Sequence, residues 1–162
     1  MFTSMVTIGV YGTSEASFFE ALRKASVDTF CDIRLHRGMR GSKFAYVNSA
    51  YLQSKLTEMG IRYLHIKELA PAKKIREMQK EDDQITGASK QTGTALGKVF
   101  IEEYTKSNLA HFDAQAFLDM LPKDAKTVAF FCVERTPAAC HRSLVTAHLG
   151  KIFSIPSADI TP

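Results

Sequence analysis

Short apolar runs alternate along the chain with segments whose apolar residues recur at helical spacing. Met5 to Tyr11 (MVTIGVY) is rich in β-branched residues and closes at Gly12, which predicts a buried strand. Ser14 can cap a helix there, with Glu15 in its first turn; Phe18, Phe19, Leu22 and Ala25 then share a core-facing side. Thr29 to Arg34 predicts a second strand, followed by an irregular, basic stretch from Leu35 to Tyr46. Asn48 or Ser49 can cap the next helix, which carries Tyr51, Leu52, Leu56 and Met59 and stops at Gly60. Ile61 to Ile66 predicts the third strand.

Residues 70–97 break this rhythm. They are polar and end in a glycine-rich stretch, and they read as an insertion: a helix near 71–82, then a mobile loop. Lys98 to Lys106 is helical, and Asp113 can cap a helix containing Phe117, Leu118 and Leu121 that ends at Pro122. Thr127 to Val133 (TVAFFCV) is the strongest strand signal, continuous rather than alternating, as a strand covered on both faces would be. A turn at Pro137 leads to a helix from about Ala139 to Leu149, and Lys151 to Ile155 reads as a last strand. No internal repeat interrupts the order. Strand and helix in alternation predict an α/β fold: a mainly parallel, Rossmann-like sheet with helices on both faces, in a single domain spanning 1–162.

Composition narrows the class. A chain of 162 residues with 45% hydrophobic and 23% charged side chains has the balance of a folded domain. Its 21 Lys+Arg against 17 Asp+Glu give a formal +4, which permits an anionic small molecule or a nucleic acid as partner. Three cysteines suit a reducing cytoplasm rather than a disulfide scaffold. No apolar run is long enough to cross a bilayer, and Met1 to Val10 lacks the layout of a signal peptide, so no membrane partner is expected.

In a parallel sheet, ligands bind beyond the carboxyl ends of the strands. That rule directs attention to Cys132-Val133-Glu134-Arg135-Thr136-Pro137-Ala138-Ala139-Cys140-His141-Arg142, which joins the best strand to a helix. At a helix amino end, beside Arg142, the Cys140 thiol would ionise more readily and could act as a nucleophile. Glu134 is a candidate general acid or base, His141 a proton carrier, and Arg142 a clamp for phosphate. The opposing readings are structural: Cys132 and Cys140 as packed thiols, Arg142 in an ion pair with Glu134 or Asp32. A metal is not expected: Cys140 and His141, adjacent on a helix, would point about 100° apart.

Asp32 and Arg34 share one face of the second strand. Asp32 is a candidate for tuning the acid or base, unless it simply locks Arg34, itself a candidate phosphate ligand. Arg34, His36, Arg37, Arg40 and Lys43 crowd a ten-residue stretch with aromatics just after it. Arg37, Arg40 and Lys43 could hold a nucleic-acid backbone. Thr13 and Ser14 open a turn onto a helix amino end that could bind an anion, although plain capping explains them as well.

Taken together, Ile8-Gly9-Val10-Tyr11-Gly12-Thr13-Ser14, Asp32-Ile33-Arg34, Phe44, Asn48, Gly60-Ile61-Arg62-Tyr63, His65, Glu68-Leu69 and above all Cys132-x-Glu134-x-x-Pro137-x-x-Cys140-His141-Arg142 resemble the domain-of-unknown-function 488 family. The resemblance spans nearly the whole chain and is weakest over 73–94. It implies a compact α/β domain with a Rossmann-like sheet, and no activity. The expectation is therefore a cytoplasmic, hydrolase-like enzyme acting on a nucleotide, nucleic acid or other phosphorylated anion, with no cofactor. The competing expectations are a noncatalytic nucleic-acid-binding module using 34–43, and a thiol-based redox or sulfur-handling role for Cys140.

Overall fold

The computed structural model describes residues 1–87 and 95–162. Five strands form one parallel sheet: β1 (Ser4–Ile8), β2 (Thr29–Asp32), β3 (Arg62–His65), β4 (Thr127–Phe131) and β5 (Ser157–Asp159), in the order β3-β2-β4-β1-β5. The helices among the described residues are α1 (Glu15–Lys24), α2 (Ser49–Glu58), α3 (Lys73–Thr86), α4 (Lys98–Ser107), α5 (Ala114–Met120) and α6 (His141–Phe153). None is long and apolar enough to cross a membrane.

The central strand explains the layering. Phe130 and Phe131 are consecutive on β4 and must point to opposite faces. Phe131 meets Phe18 of α1 at 5.5 Å, and Phe130 meets Phe117 of α5 at 5.9 Å, so α1 and α5 cover opposite faces. Arg142 of α6 reaches Thr7, which pairs with Phe130 across β1 and β4 and so lies on the α5 side. Both faces are covered, and the run TVAFF is apolar throughout for that reason.

Local chemistry sets the helix ends. Ser14 caps α1 in a reciprocal box with Ser17, and the Asp113 carboxylate accepts from the Ala116 amide at 2.9 Å to cap α5. Asn48 precedes α2, but its side chain does not cap it. Its Oδ1 accepts from the Met39 amide at 2.6 Å and ties down the basic loop instead.

Two expectations fail at the carboxyl end. Lys151 to Ile155 is not a strand: Lys151, Ile152 and Phe153 complete α6, and Ser154 ends it in a left-handed turn. The last strand is Ser157–Asp159, an exposed edge held by main-chain pairing with Met5 to Thr7. It carries no apolar pattern because neither face is buried. Cys132 also lies just past β4 rather than within a strand. The expected insertion contains a longer helix than predicted, Lys73–Thr86. The mobile loop expected after it falls largely on 88–94, outside the described residues.

Candidate active site

The carboxyl ends of β2 and β4 are neighbours, with Asp32 paired to Phe131, and a cleft of about 990 Å³ opens above them. Its floor is Cys132, Val133, Glu134, Ala139 and His141; one wall is the basic loop with Arg34, His36, Arg40 and Lys43; the facing wall is α3 with Lys73, Arg76, Glu77, Lys80 and Asp83. Tyr11, Phe44 and Phe100 add aromatic surface.

Arg34 is the most constrained of these groups. Asp32, with no exposed surface, accepts from the Arg34 amide at 3.1 Å, from Nε at 2.9 Å and from Nη2 at 2.7 Å. The Tyr63 hydroxyl donates to the same carboxylate at 2.8 Å. Burial, and Asp32 beside it, push that hydroxyl up to about 12. Nη2 also donates to the Val47 carbonyl at 2.9 Å, and the guanidinium lies 4.7 Å from the Phe131 ring centre. Nη1 alone is buried with no partner among the described residues. Asp32 thus locks Arg34, as one reading of the sequence allowed, and does not touch Arg142.

Arg142 is the reverse case. It is fully buried, and all its nitrogens are used: Nη1 donates to the Glu134 carbonyl at 2.6 Å, Nη2 to the Arg135 carbonyl at 3.3 Å, and Nε to Thr7 Oγ1 at 3.3 Å. It pins the loop after β4 by main-chain oxygens; the expected pair with the Glu134 or Asp32 carboxylate is replaced by these carbonyls, and no nitrogen is left over for a phosphate. Gly9 is required beneath this loop, because a Cβ there would sit 2.0 Å from the Glu134 carbonyl oxygen.

Thr13 and Ser14 are also spoken for. Thr13 Oγ1 donates to the Val10 carbonyl at 2.7 Å, Ser14 caps α1, and neither lines the cleft. Arg37 turns toward the Tyr63 hydroxyl at 3.5 Å and lies outside the cleft, whereas Arg40 and Lys43 face it.

The turn at Pro137–Ala139 brings Cys140 back beside Cys132, and the donor atoms of Cys132, Cys140 and His141 all lie within 4.8 Å of one another. The expected divergence of Cys140 and His141 does not occur. Cys140 has an extended backbone, φ −131 and ψ 145, ahead of the first helical residue, so the angular step between helix neighbours does not apply. Cys140 Sγ is 3.8 Å from His141 Nδ1, and His141 Nε2 lies 3.1 Å from the Ile33 carbonyl. A carbonyl only accepts, so Nε2 carries a hydrogen, and Nδ1 is the ring atom that faces the sulfur. The His141 ring packs on Tyr104 of α4, whose hydroxyl donates to the Leu69 carbonyl at 2.6 Å.

Burial pushes the Cys140 thiol up, but Cys132, His141 and Arg142 outweigh it and hold it well below its usual value. Burial lowers His141, yet the Cys140 sulfur and Glu134 raise it overall. Cys132, hydrogen-bonded to Cys140 and buried, is raised. Burial first, then the Cys140 charge, push Glu134 up to about 8, and its Oε2 is buried without a partner. Cys140 does not itself line the cleft; Cys132, Glu134 and His141 do.

Sequence reasoning missed the α3 wall. Its signal was present: Lys73, Arg76 and Lys80 recur at helical spacing on one side of a segment read as an insertion. Arg76 Nε, like Arg34 Nη1, is buried with no partner among the described residues.

Residues 15–149 match the family model described as Domain of unknown function DUF488. No curated protein and no solved structure matches the chain.

Proposed function

The chain belongs to the DUF488 family, whose description carries no activity, and we propose that it is a hydrolase-type enzyme acting on a nucleotide-sized, phosphate-bearing substrate held in the cleft above β2 and β4. One observation carries this reading. Arg34 is held rigidly by Asp32 on the cleft wall, yet keeps one buried donor, Nη1, with no protein partner. A buried donor left unsatisfied costs about 1–3 kcal/mol, and an anionic oxygen would remove that cost. Arg40, Lys43, Lys73, Arg76 and Lys80 surround the same space, and the half-buried Tyr11 borders it. A volume of about 990 Å³ is within the range of small-molecule sites.

In this reading Arg34 binds and orients a phosphate oxygen, and the α3 cations close the other side. Glu134, with Oε2 buried and unpartnered on the cleft floor, is the group placed to pass a proton to or from the reacting oxygen. Asp32 and Tyr63 are positioning residues that fix the guanidinium. Arg142 holds the backbone that carries Glu134.

The test is calorimetric titration of the full chain with mononucleotides, dinucleotides and inorganic phosphate, followed by turnover of whichever binds. Arg34→Lys keeps the charge but loses the fork, and should weaken binding about tenfold or more. Arg76→Ala, on a wall remote from the sheet, should weaken it without disturbing the fold. Glu134→Gln should abolish turnover while leaving binding within about threefold, a gap of well under 1.4 kcal/mol. Binding that is indifferent to both Arg34→Lys and Arg76→Ala would overturn the assignment. Tight binding with no turnover by the wild type would leave a binding module in place of an enzyme.

A further inference from the structure

We propose that Cys132, Cys140 and His141 form a binding site for one soft or borderline divalent cation, zinc above all, with its fourth coordination position open to the cleft. The inference goes beyond the substrate reading and stands whatever the cleft holds.

The donor set points to the metal class. Two sulfurs and an imidazole nitrogen, all buried, lie within 4.8 Å of one another. Thiolates and imidazole suit zinc, whereas magnesium and calcium require oxygen ligands. Two thiolates with one neutral ring carry two negative charges, which a divalent cation balances in a place otherwise poorly suited to charge.

The geometry is close to what a tetrahedral ion needs. Zinc bonds to sulfur near 2.3 Å and to nitrogen near 2.0–2.1 Å, so the two donors should stand about 3.5 Å apart. Cys140 Sγ and His141 Nδ1 are 3.8 Å apart. The ring is already turned the required way, because Nε2–H donates to the Ile33 carbonyl and Nδ1 faces the Cys140 sulfur, where a metal would displace any proton it carries. This is the outer hydrogen bond by which metal-binding histidines are oriented. Tyr104 packs on the same ring and is itself tied to the Leu69 carbonyl, so the ring has little freedom to turn away.

Three elements converge to make the site: the chain end after β4 gives Cys132, the turn at Pro137–Ala139 returns Cys140, and the start of α6 gives His141. Three protein ligands are the count of a catalytic zinc site rather than a closed structural one. Cys132 and His141 both border the cleft, as does Glu134. The open position therefore faces the space beside that carboxyl.

The experiment uses the full-length chain, reduced and dialysed against a chelator, then titrated with cobalt(II) as a spectroscopic probe. One equivalent should produce thiolate-to-cobalt charge-transfer absorption and visible bands of tetrahedral intensity, and one equivalent of zinc should abolish both. Cys132→Ser and Cys140→Ser should each weaken metal binding by at least about 100-fold, since even outer-shell losses cost 10–100-fold. Cys31→Ala, a change at the buried free thiol on β2 outside the cluster, should leave the spectrum intact. If the folded wild type, checked by circular dichroism, shows no charge-transfer band, the site does not exist. A band that survives in folded Cys132→Ser and Cys140→Ser would overturn it equally. Either failure leaves nucleotide binding and its dependence on Arg34 untouched, so the two readings fail separately.

Discussion

An aspartate stands just before strand β2 and another closes it, and the two have opposite consequences. At the amino end, Asp28 Oδ2 accepts from the Lys126 and Thr127 amides, both at 2.9 Å, and Oδ1 accepts from Thr29 Oγ1 at 2.8 Å and from Arg62 Nη2 at 3.3 Å. Arg62 is consumed in turn, with Nε on the Asp28 carbonyl at 3.1 Å and Nη1 on Asp124 at 2.6 Å. At the carboxyl end, Asp32 is just as fully engaged, but its arginine keeps Nη1 free on a cleft wall. Closed polar clusters hold a fold together. Here the leftover donor belongs to a residue that borders the cleft, and the proposed substrate would complete the cluster. Both ends show an arginine beside an aspartate, so the pairing itself does not distinguish them; the leftover donor does.

The largest effect should come from breaking the closed half of the upper cluster. Asp32→Asn leaves the Arg34 guanidinium buried and uncompensated, and turns an amide donor toward groups that already donate. Removing one partner of a buried pair costs about 3–5 kcal/mol, a large share of a typical domain's stability. Urea unfolding should show that loss as a lower midpoint. A change below about 1 kcal/mol would mean that water reaches this pair in solution.

Next comes the backbone beneath the cleft floor. Gly9→Ala drives a methyl group into the Glu134 carbonyl, 2.0 Å away, with Arg142 Nη1 at 3.1 Å. The strand end and the loop must part, at a cost of about 1–3 kcal/mol. Because that loop carries Glu134, turnover should fall further than stability alone explains. Equal stability for Gly9→Ala and wild type would show that the loop is not pinned there.

What the sequence displayed, and what it hid, follow the same division. Strands β1, β2 and β4 were legible because their residues are buried and mostly apolar, β3 because a short run with Ile61, Leu64 and Ile66 follows the helix stop at Gly60 although its own residues are only half-buried, and the caps at Ser14 and Asp113 because their chemistry is local. Strand β5 was hidden because Ser157–Asp159 is an exposed edge held by main-chain pairing and by the Thr7 hydroxyl donating to Asp159, neither of which leaves an apolar pattern. The candidate site split likewise. Glu134, His141 and Arg34 were singled out and line one cleft. Arg142 was read either as a phosphate clamp or as a buried loop organiser; it holds the loop, but its partners are the Glu134 and Arg135 carbonyls, and a carbonyl leaves no trace in residue identity. The convergence of Cys132, Cys140 and His141 depends on the extended backbone of one residue, which the spacing of Cys140 and His141 conceals.

The smallest effect belongs to the lower cluster, and it shows most clearly through pH. Burial tends to raise Asp28, but the Thr127 amide, the Thr29 hydroxyl, the Lys126 amide and the Arg62 charge hold it below its usual value. A carboxylate depressed in the folded state adds stability above its unfolded pKa, and that stability is lost as pH falls through the folded value. Asp28→Asn removes this dependence. At neutral pH it should cost only about 1 kcal/mol, since an amide oxygen still accepts from one main-chain amide and the site is partly open to water. Urea midpoints measured from neutral to acidic pH should therefore converge for Asp28→Asn and wild type toward the acid end. Nucleotide and phosphate binding in the cleft should not change at any of these pH values beyond the wild type's own profile. Should Asp28→Asn instead weaken binding as much as Arg34→Lys, the two ends of β2 would be coupled through the strand, and the separation drawn between a closed structural cluster and an open receptive one would fail.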